Sequence, residues 1–567
     1  MKKWQQALIL IAIYVFALGI RIFWLSQKEG LHVDEGLTIA FACYNDFMVT
    51  ANYEDGERYT GKELKEASLA SDASLKGALA DVRSLWKDNR DPPHTNLYYT
   101  LVRLSLIGLK TGDIAPIVAR GGILNILLFT VSFLFFFLLM RLLFPGNELL
   151  QYAAVFCAFL STATISNTLL IRPYQVQETL FIIFCYYFVL NIGWRKCIIY
   201  EDNMFISVKQ IAFMALITAV TLLTGYYAMF FVGLFGLYAL YLLCRNKTFT
   251  EIPFYFLVLC FGILFAQALY PKYVSGFFSY RGQEIIKTIS VNTLENIRFS
   301  LASALELLHK HFFGYPVIIV VVLCLAYLVF MLIREQKSPG AKAHAGPAMQ
   351  RMAWYIFAAS VLFLFVVLII SPYKILRYGM PVFPFLVILP AILINSIGAR
   401  TQLYARKIAA CAMLLLCGCF VWNATRESKI ENTFRGKPNE YVFTQEKNAP
   451  VYVLNAGWSL WKYANLIPYV HDEQAYYFID WYKYFDEYMR SGQRTVSIEL
   501  LEAEDYNTIY LLTENFPDFP QYDNLVDLII KDLPAAQGIE SEFEINTGEP
   551  ESWFPYFKGK KIIMGVR

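Results

Sequence analysis

Charge is what this chain has least of. Asp, Glu, Lys and Arg make up 17% of its 567 residues, where a soluble domain carries roughly 25%. Hydrophobic residues reach 57% and aromatic ones 17%, and the mean hydropathy is +0.43. So little charge cannot cover a water-facing surface of this size, and the bilayer is the fitting solvent. With a formal charge of only +3, nothing points to nucleic acid as a partner. A disulfide framework is lacking too. Of the ten cysteines, Cys157, Cys185, Cys197, Cys244, Cys260, Cys324, Cys411, Cys417 and Cys419 lie in or beside apolar runs. Only Cys43 falls in an outer segment, and there is no CxxC pairing for zinc. These thiols read as small packing residues. No internal repeat shows a convincing period. The first apolar run has no small-residue cleavage site, so it is expected to stay as an anchor.

What the chain does have is membrane-length apolar runs. They lie near 5–25, 118–144, 149–171, 175–194, 206–224, 226–244, 252–270, 315–333, 353–370, 376–397 and 408–421. A helix needs roughly 20 such residues to cross a bilayer, so about eleven transmembrane helices are expected. Arg172-Pro173 reads as a turn between runs, and Gly225-Tyr226-Tyr227 as a hinge that, read as a kink instead, would change the count by one. With Lys2 and Lys3 inside, one set of loops collects Arg141, Arg195, Lys196, Lys209, Arg245, Lys247, Arg334, Lys337, Lys342, Arg351, Arg400, Arg406 and Lys407. The short loops of the other side hold only Arg172, Lys374 and Arg377. That asymmetry follows the positive-inside rule. An odd count puts the C-terminal region outside, with a long first loop (about 31–113) and a medium loop (about 271–314).

The chain therefore divides into a membrane part, 1–424, and a soluble part, 425–567. From Thr425 onward about 14 basic residues face about 23 acidic ones, leaving roughly +12 before it. The tail reads as a small α/β domain, with strands at 450–454, 508–512 and 561–566 and helices near 459–465 and 480–489. Its aromatic content, with Tyr476, Tyr477, Trp481, Tyr482, Tyr484 and Phe485, suggests a face that docks on the membrane or the first loop. Core packing explains those rings about as well. The segment 334–351 reads as a linker on the cytoplasmic side.

Four outer-side groups carry candidate chemistry. Asp34-Glu35 emerges just after the first run. Two adjacent carboxylates repel, which raises a pKa toward the range of a general base, or they hold a metal; as a plain alternative they begin a helix. His94, in Asp91-Pro-Pro-His94-Thr-Asn96, precedes an amphipathic segment at 97–109 suited to the interface. Its readings are a metal ligand, a sugar contact or a helix cap. Arg172-Pro-Tyr174-Gln175-Val-Gln177-Glu178 sits at the mouth of two spans, where ionised groups are costly and mark sites. Arg172 either binds phosphate or pairs with Glu178. Lys374 and Arg377, one helical turn apart, break the outer-loop charge rule; an anionic head group or snorkelling to lipid phosphates accounts for them.

In order and spacing these groups resemble the membrane-embedded glycosyltransferases of the GT-C fold. The group meant is that of protein O-mannosyltransferases, aminoarabinose transferases and bacterial lipopolysaccharide sugar transferases. His32-Val-Asp34-Glu35-Gly36 is similar to the family's acidic motif after the first span, and His94-Thr-Asn-Leu97-Tyr98-Tyr99 to its His-Pro-Pro-Leu-Tyr-Tyr segment. Arg172-Pro-Tyr174 is similar to its Arg-x-Tyr, and Arg377-Tyr378-Gly-Met-Pro381-Val-Phe-Pro384 to its late Arg-Tyr motif. One departure is that Thr95-Asn96 stand where the family has two prolines. The resemblance covers about 5–420.

It implies an α-helical polytopic membrane enzyme that moves a hexose or pentose from a polyprenyl-phosphate donor to an acceptor hydroxyl on a glycan, lipid or protein. Transfer would be inverting and extracytoplasmic, in a multi-pass protein of the bacterial plasma membrane. Asp34 is then the expected base, with Glu35 beside it. Arg172, Lys374 and Arg377 would hold the donor phosphate, and His94, Tyr174, Glu178 and Tyr378 would contact substrate. A divalent ion, used variably in the family, would fall to Glu35 and His94. The alternatives are a lipid-linked saccharide flippase or transporter, a surface-polysaccharide polymerase or ligase, and a membrane scaffold.

Overall fold

A computed structural model describes residues 2–28, 30–45, 57–68, 72–109, 114–194, 208–245, 247, 249–290, 294–335, 347–398, 403–433, 446–455, 470–480, 506–515, 536–545 and 556–564. Its chain forms two compact units. One comprises Met1–Gln27, Trp86–Tyr98 and Gly122–Thr433; the other comprises Lys28–Leu85, Tyr99–Gly121 and Phe434–Arg567.

The apolar runs fold as helices. They are α1 (Lys3–Ser26), then α2 (Val33–Ala42), α3 (Gly61–Ser68), α4 (Leu75–Lys87) and α5 (Leu97–Ser105) from the first loop, and α6 (Ile114–Leu143). There follow α7 (Glu148–Phe159), α8 (Thr162–Leu169), α9 (Tyr174–Phe188), α10 (Val208–Leu222), α11 (Ala228–Arg245) and α12 (Ile252–Leu269). After them come α13 (Tyr273–Gly276), α14 (Gly282–Ser290), α15 (Leu294–Leu308), α16 (Gly314–Glu335), α17 (Pro347–Ile370), α18 (Phe383–Leu386), α19 (Ile388–Gly398) and α20 (Leu403–Ala424).

Each of the eleven runs maps onto helix, but fewer are long enough to span by themselves. Among the described residues 8 helices have the length and apolarity to cross a membrane, or up to 9 if α7 and α8, bent by 52°, make one span. The difference has a local cause. α9 and α10 are each 15 residues long, although a π-helical stretch, Val189–Trp194, continues α9. The region between 271 and 314, expected as a loop, is instead largely helical, with π-turns at Phe277–Arg281 and His309–Phe313. The flexible linker lies mostly outside the described residues, as do the helices expected near 459–465 and 480–489.

Close packing in the membrane unit uses small residues where helices meet, as lipid-solvated helices do. A Cβ on Gly122 would stand 2.5 Å from Leu25, and one on Gly262 2.8 Å from Thr218. Phe181 and Phe231 stack at 3.9 Å. The Trp24 indole donates to the carbonyl of Ala424 at 2.8 Å, tying the ends of α1 and α20. The interior is not wholly apolar. Arg21, in α1, is fully buried and lies 3.8 Å over the Phe129 ring.

In the second unit the sheet order is β1-β3-β2-β4-β6-β5. Its strands are β1 (Arg58–Thr60), β2 (Val451–Asn455), β3 (Ala475–Asp480), β4 (Thr508–Asn515), β5 (Ala536–Ile545) and β6 (Tyr556–Met564). β3, β2 and β4 run parallel, and the other pairings are antiparallel. β1 belongs to the first loop and pairs with β3, so Tyr59 lies opposite Tyr476 and Arg58 opposite Tyr477. Two of the tail's aromatic residues thus sit on the strand that takes up the first loop.

Candidate functional site

The site in the membrane unit starts with a turn at 89–94. The Asn89 amide donates to the His94 carbonyl at 2.8 Å. Its side-chain oxygen accepts from the Asp91 backbone N–H at 3.1 Å and from the Tyr270 hydroxyl at 2.9 Å. Pro92-Pro93 stiffen the turn further. Thr95 and Asn96 anchor it. The Thr95 hydroxyl donates to the Leu223 carbonyl, and the Asn96 amide to the Leu269 carbonyl at 3.3 Å.

His94 is held at both ring nitrogens. Nδ1 lies 2.8 Å from Asp91 Oδ2 and Nε2 lies 3.1 Å from Arg172 Nη2. A guanidinium only donates, so Nε2 accepts and the proton sits on Nδ1, where it is given to Asp91. Burial pushes the His94 pKa below its ordinary 6.5; Asp91 opposes that shift and the Arg172 charge adds to it.

Arg172 comes from the break between α8 and α9. Asn125 fixes that break, its amide donating to the carbonyls of Thr168 at 3.1 Å and Leu170 at 2.8 Å. A second guanidinium reaches the same turn. Arg281 donates to the Pro93 carbonyl at 3.4 Å, pairs with Glu284, and lies 5.0 Å over the Tyr227 ring. Tyr227 meets Tyr378 edge-on at 5.7 Å, and Tyr378 meets Tyr174 at 6.1 Å. Arg377 lies 5.8 Å over Tyr378. Arg172, Arg281 and Arg377 are all buried. A concentration of buried cations costs energy unless anions answer it; Glu284 answers Arg281.

Two of the expected residues have structural partners. Lys374 donates to the Ser371 carbonyl at 2.6 Å and the Ile369 carbonyl at 3.4 Å, closing the C-terminal end of α17; its burial lowers its pKa. Glu178 accepts from Asn167 and from Gln175, each at 3.0 Å. The bridge considered between Arg172 and Glu178 is replaced by these amides, and Glu178 feels the charge of Arg21 instead.

Asp34 and Glu35 belong to the second unit, in the first turn of α2, where carboxylates suit the helix dipole. His32 is the N-cap, and its Nδ1 accepts from the Asp34 backbone N–H at 2.9 Å. Glu35 accepts from the His32 backbone N–H at 2.7 Å, and both its oxygens receive Lys28 Nζ, at 2.9 and 3.0 Å. Burial pushes the Lys28 ammonium below its ordinary pKa, against the pull of Glu35. Asp34 is buried beside this pair.

A divalent ion does not fit these residues. Glu35 is committed to a buried ammonium, and His94 uses both nitrogens. Among the described residues no group of three or more His, Cys, Asp or Glu could hold a metal.

Sequence reasoning did not single out Arg281, Lys28 or Arg21. Arg281 sits in the segment read as loop. Lys28 follows the first run by two residues and lies seven before Glu35, and Arg21 is a lone cation inside an apolar run; both were visible signals.

No protein-family model matches the chain, and no curated protein does. Among solved structures, the ArnT of Cupriavidus metallidurans bound to undecaprenyl phosphate is similar, with 13% identity over 97% of both chains and a TM-score of 0.45. The oligosaccharyltransferase AglB of Archaeoglobus fulgidus, in complex with an inhibitory peptide and a dolichol-phosphate, gives 11% identity over 98% of this chain and 74% of its own, with a TM-score of 0.42. Likeness at this level is one of outline, and the functional reading rests on this chain's own side chains.

Proposed function

We propose that this chain is a membrane glycosyltransferase that moves a sugar from a polyprenyl-phosphate donor to an acceptor hydroxyl on the extracytoplasmic side. The observation that carries the reading is the meeting of two buried guanidinium groups on adjacent residues, Arg172 on His94 and Arg281 on Pro93. An anionic group that is bound and then released gives such a pair a purpose, and the planar fork of arginine matches a phosphate. Arg377 adds charge across Tyr378, and Tyr174 and Tyr378 supply aromatic walls for a sugar. Lys374 is a weaker phosphate ligand in this reading, because two carbonyls already hold it. Glu178 is assigned to support rather than to substrate contact.

The reaction is a single displacement. The acceptor oxygen forms a bond to the anomeric carbon, and the bond from that carbon to the phosphate oxygen breaks. The phosphate leaves with the electron pair as a stable anion, so its cation clamp serves in place of a general acid. Asp34 is our candidate to take the hydroxyl proton, and the configuration inverts. Glu35 holds Lys28 and the start of α2, and so keeps the segment bearing Asp34 in place. No step runs through a metal.

Polyprenyl phosphates are the probes for the test. Arg172→Gln and Arg281→Gln should each weaken binding of undecaprenyl phosphate to the purified protein about 10-fold or more, the loss expected of one charge-assisted contact. Asp34→Asn should keep that binding and lose about 10²–10⁴ in turnover. Unchanged binding in both arginine variants ends the proposal. One observation favours the transporter alternative, namely the charged Arg21 at membrane depth. Its hydrogen bonds to Thr168 and to the carbonyls of Ala17 and Phe159 fit a fixed strut better than a pathway. Flux of a lipid-linked sugar across vesicles without any glycosidic bond formed would reverse that preference.

A further inference from the structure

Tyrosines crowd the neighbourhood of Arg281, and they differ in one respect. Tyr270 spends its hydroxyl on Asn89 at 2.9 Å. Tyr226 and Tyr273 are as deeply buried, at 2% and 4% exposure, yet among the described residues their hydroxyls have no hydrogen-bond partner. Their rings pack together at 5.6 Å. A buried hydroxyl left without a partner costs about 1–3 kcal/mol, and native chains rarely keep two such groups side by side. Phenylalanine would fill the same space without that cost, so the hydroxyls themselves need a reason.

Their position supplies one. Tyr226 directly precedes Tyr227, whose ring lies beneath Arg281. It projects from the turn between α10 and α11, where Gly225 takes φ 152°. Tyr273 opens the short segment α13, which runs through the π-turn Phe277–Arg281 to that same arginine. Gly276 brings the backbone of this segment against the Tyr226 hydroxyl, since a Cβ there would lie 2.4 Å from it. Tyr226 therefore lies in the turn whose next residue sits beneath the guanidinium given to the donor phosphate, and Tyr273 packs against Tyr226. A phenol can donate and accept, as a sugar hydroxyl does.

We propose that the hydroxyls of Tyr226 and Tyr273 form a subsite that hydrogen-bonds the hydroxyl groups of the donor sugar. This rests on the transferase reading above and adds to it the two groups that tell a sugar-bearing lipid from a bare one. The subsite has a signature in sign: losing these hydroxyls costs the fold nothing and costs the ligand its contacts.

The test uses Tyr226→Phe, Tyr273→Phe and the double variant as full chains in detergent. Two quantities are measured on each: the thermal midpoint, and the affinity for undecaprenyl phosphate alone or carrying glucose, mannose or arabinose. The thermal midpoint should stay level or rise. Affinity for bare undecaprenyl phosphate should stay within about twofold. The sugar-bearing lipid that wild type binds best should lose about 10-fold per hydroxyl removed, the weight of one hydrogen bond. A double variant that binds it as wild type does overturns the subsite and leaves the transferase reading intact. Variants that melt at lower temperature overturn it as well, because the hydroxyls would then be serving the fold. Wild type that binds none of these lipids removes the transferase reading and this inference with it.

Discussion

At His94 the direction of every hydrogen bond is fixed by its partner, and a pH dependence follows. Arg172 can only donate, so the Arg172–His94 contact exists only while Nε2 is unprotonated. Burial and the Arg172 charge hold the folded pKa below 6.5. A histidine with a lowered folded pKa binds protons more readily when unfolded. Stability from this group is therefore complete above 6.5 and falls as pH drops from there toward the folded value. The clamp itself should fail lower, as pH falls through the folded value, because a protonated imidazole would face Arg172 as a second cation. We expect the acid limb of kcat/KM in wild type to lie below the ordinary histidine pKa and to be lost in His94→Gln, whose neutral amide can still accept from Arg172. An unchanged limb in the variant would assign the titration to another group. His94 was recognisable from its place beside Asp91, Pro92 and Pro93. Its service to an arginine 78 residues away was not, because nothing local records a contact of that span. The pair Asp34-Glu35 was equally visible, with Asp34 expected as the base, but nothing local showed what Glu35 is committed to. Lys28 separates them, and its contact with Glu35 depends on how the chain turns after α1.

At the scale of elements, the break between α8 and α9 is held from below by a buried relay. Arg21 Nε donates to Thr168 Oγ1 at 3.0 Å. The Thr168 hydroxyl donates to Gln175 Oε1 at 3.0 Å, and the Gln175 amide to Glu178 at 3.0 Å. This relay links α1, α8 and α9 under the loop that presents Arg172 and Tyr174. Removing one end leaves the other charge buried without compensation, a loss of about 3–5 kcal/mol. Arg21→Met should therefore melt well below wild type, and Arg21→Met with Glu178→Gln should recover part of the loss. Thermal unfolding of the four-member cycle would show strictly additive losses if the two ends were independent. Element by element, the spans were legible because hydropathy integrates over a whole run. α14 and α15 were not, since short helices with one apolar face lack a membrane-length signal and read as loop. The strands of the tail were found at β2, β4 and β6 from dense β-branched and aromatic residues. β1 escaped notice because a strand of 3 residues is too short to show alternation.

For the whole molecule, the distribution of charge predicts an orientation that can be checked without any substrate. The loops rich in Lys and Arg should face the cytoplasm, which puts Arg245 and Arg406 on that side and Lys272 and Lys310 on the other. All four side chains are exposed. The proposed chemistry needs the second side, because a donor activated by its own lipid is required only where nucleotide sugars are absent. Lys272→Cys and Lys310→Cys should react with a membrane-impermeant maleimide in intact cells, above the background of the native cysteines. Arg245→Cys and Arg406→Cys should react only after permeabilisation. Glu542→Cys, on β5 of the sheet, tests the acidic tail in the same way and should label from outside. Labelling of 272 and 406 from the same compartment would break the odd span count. An intact-cell label at 245 but not at 272 would invert the protein, moving Arg172 and Arg281 to the cytoplasmic face, where a lipid-activated donor has no chemical reason to be used.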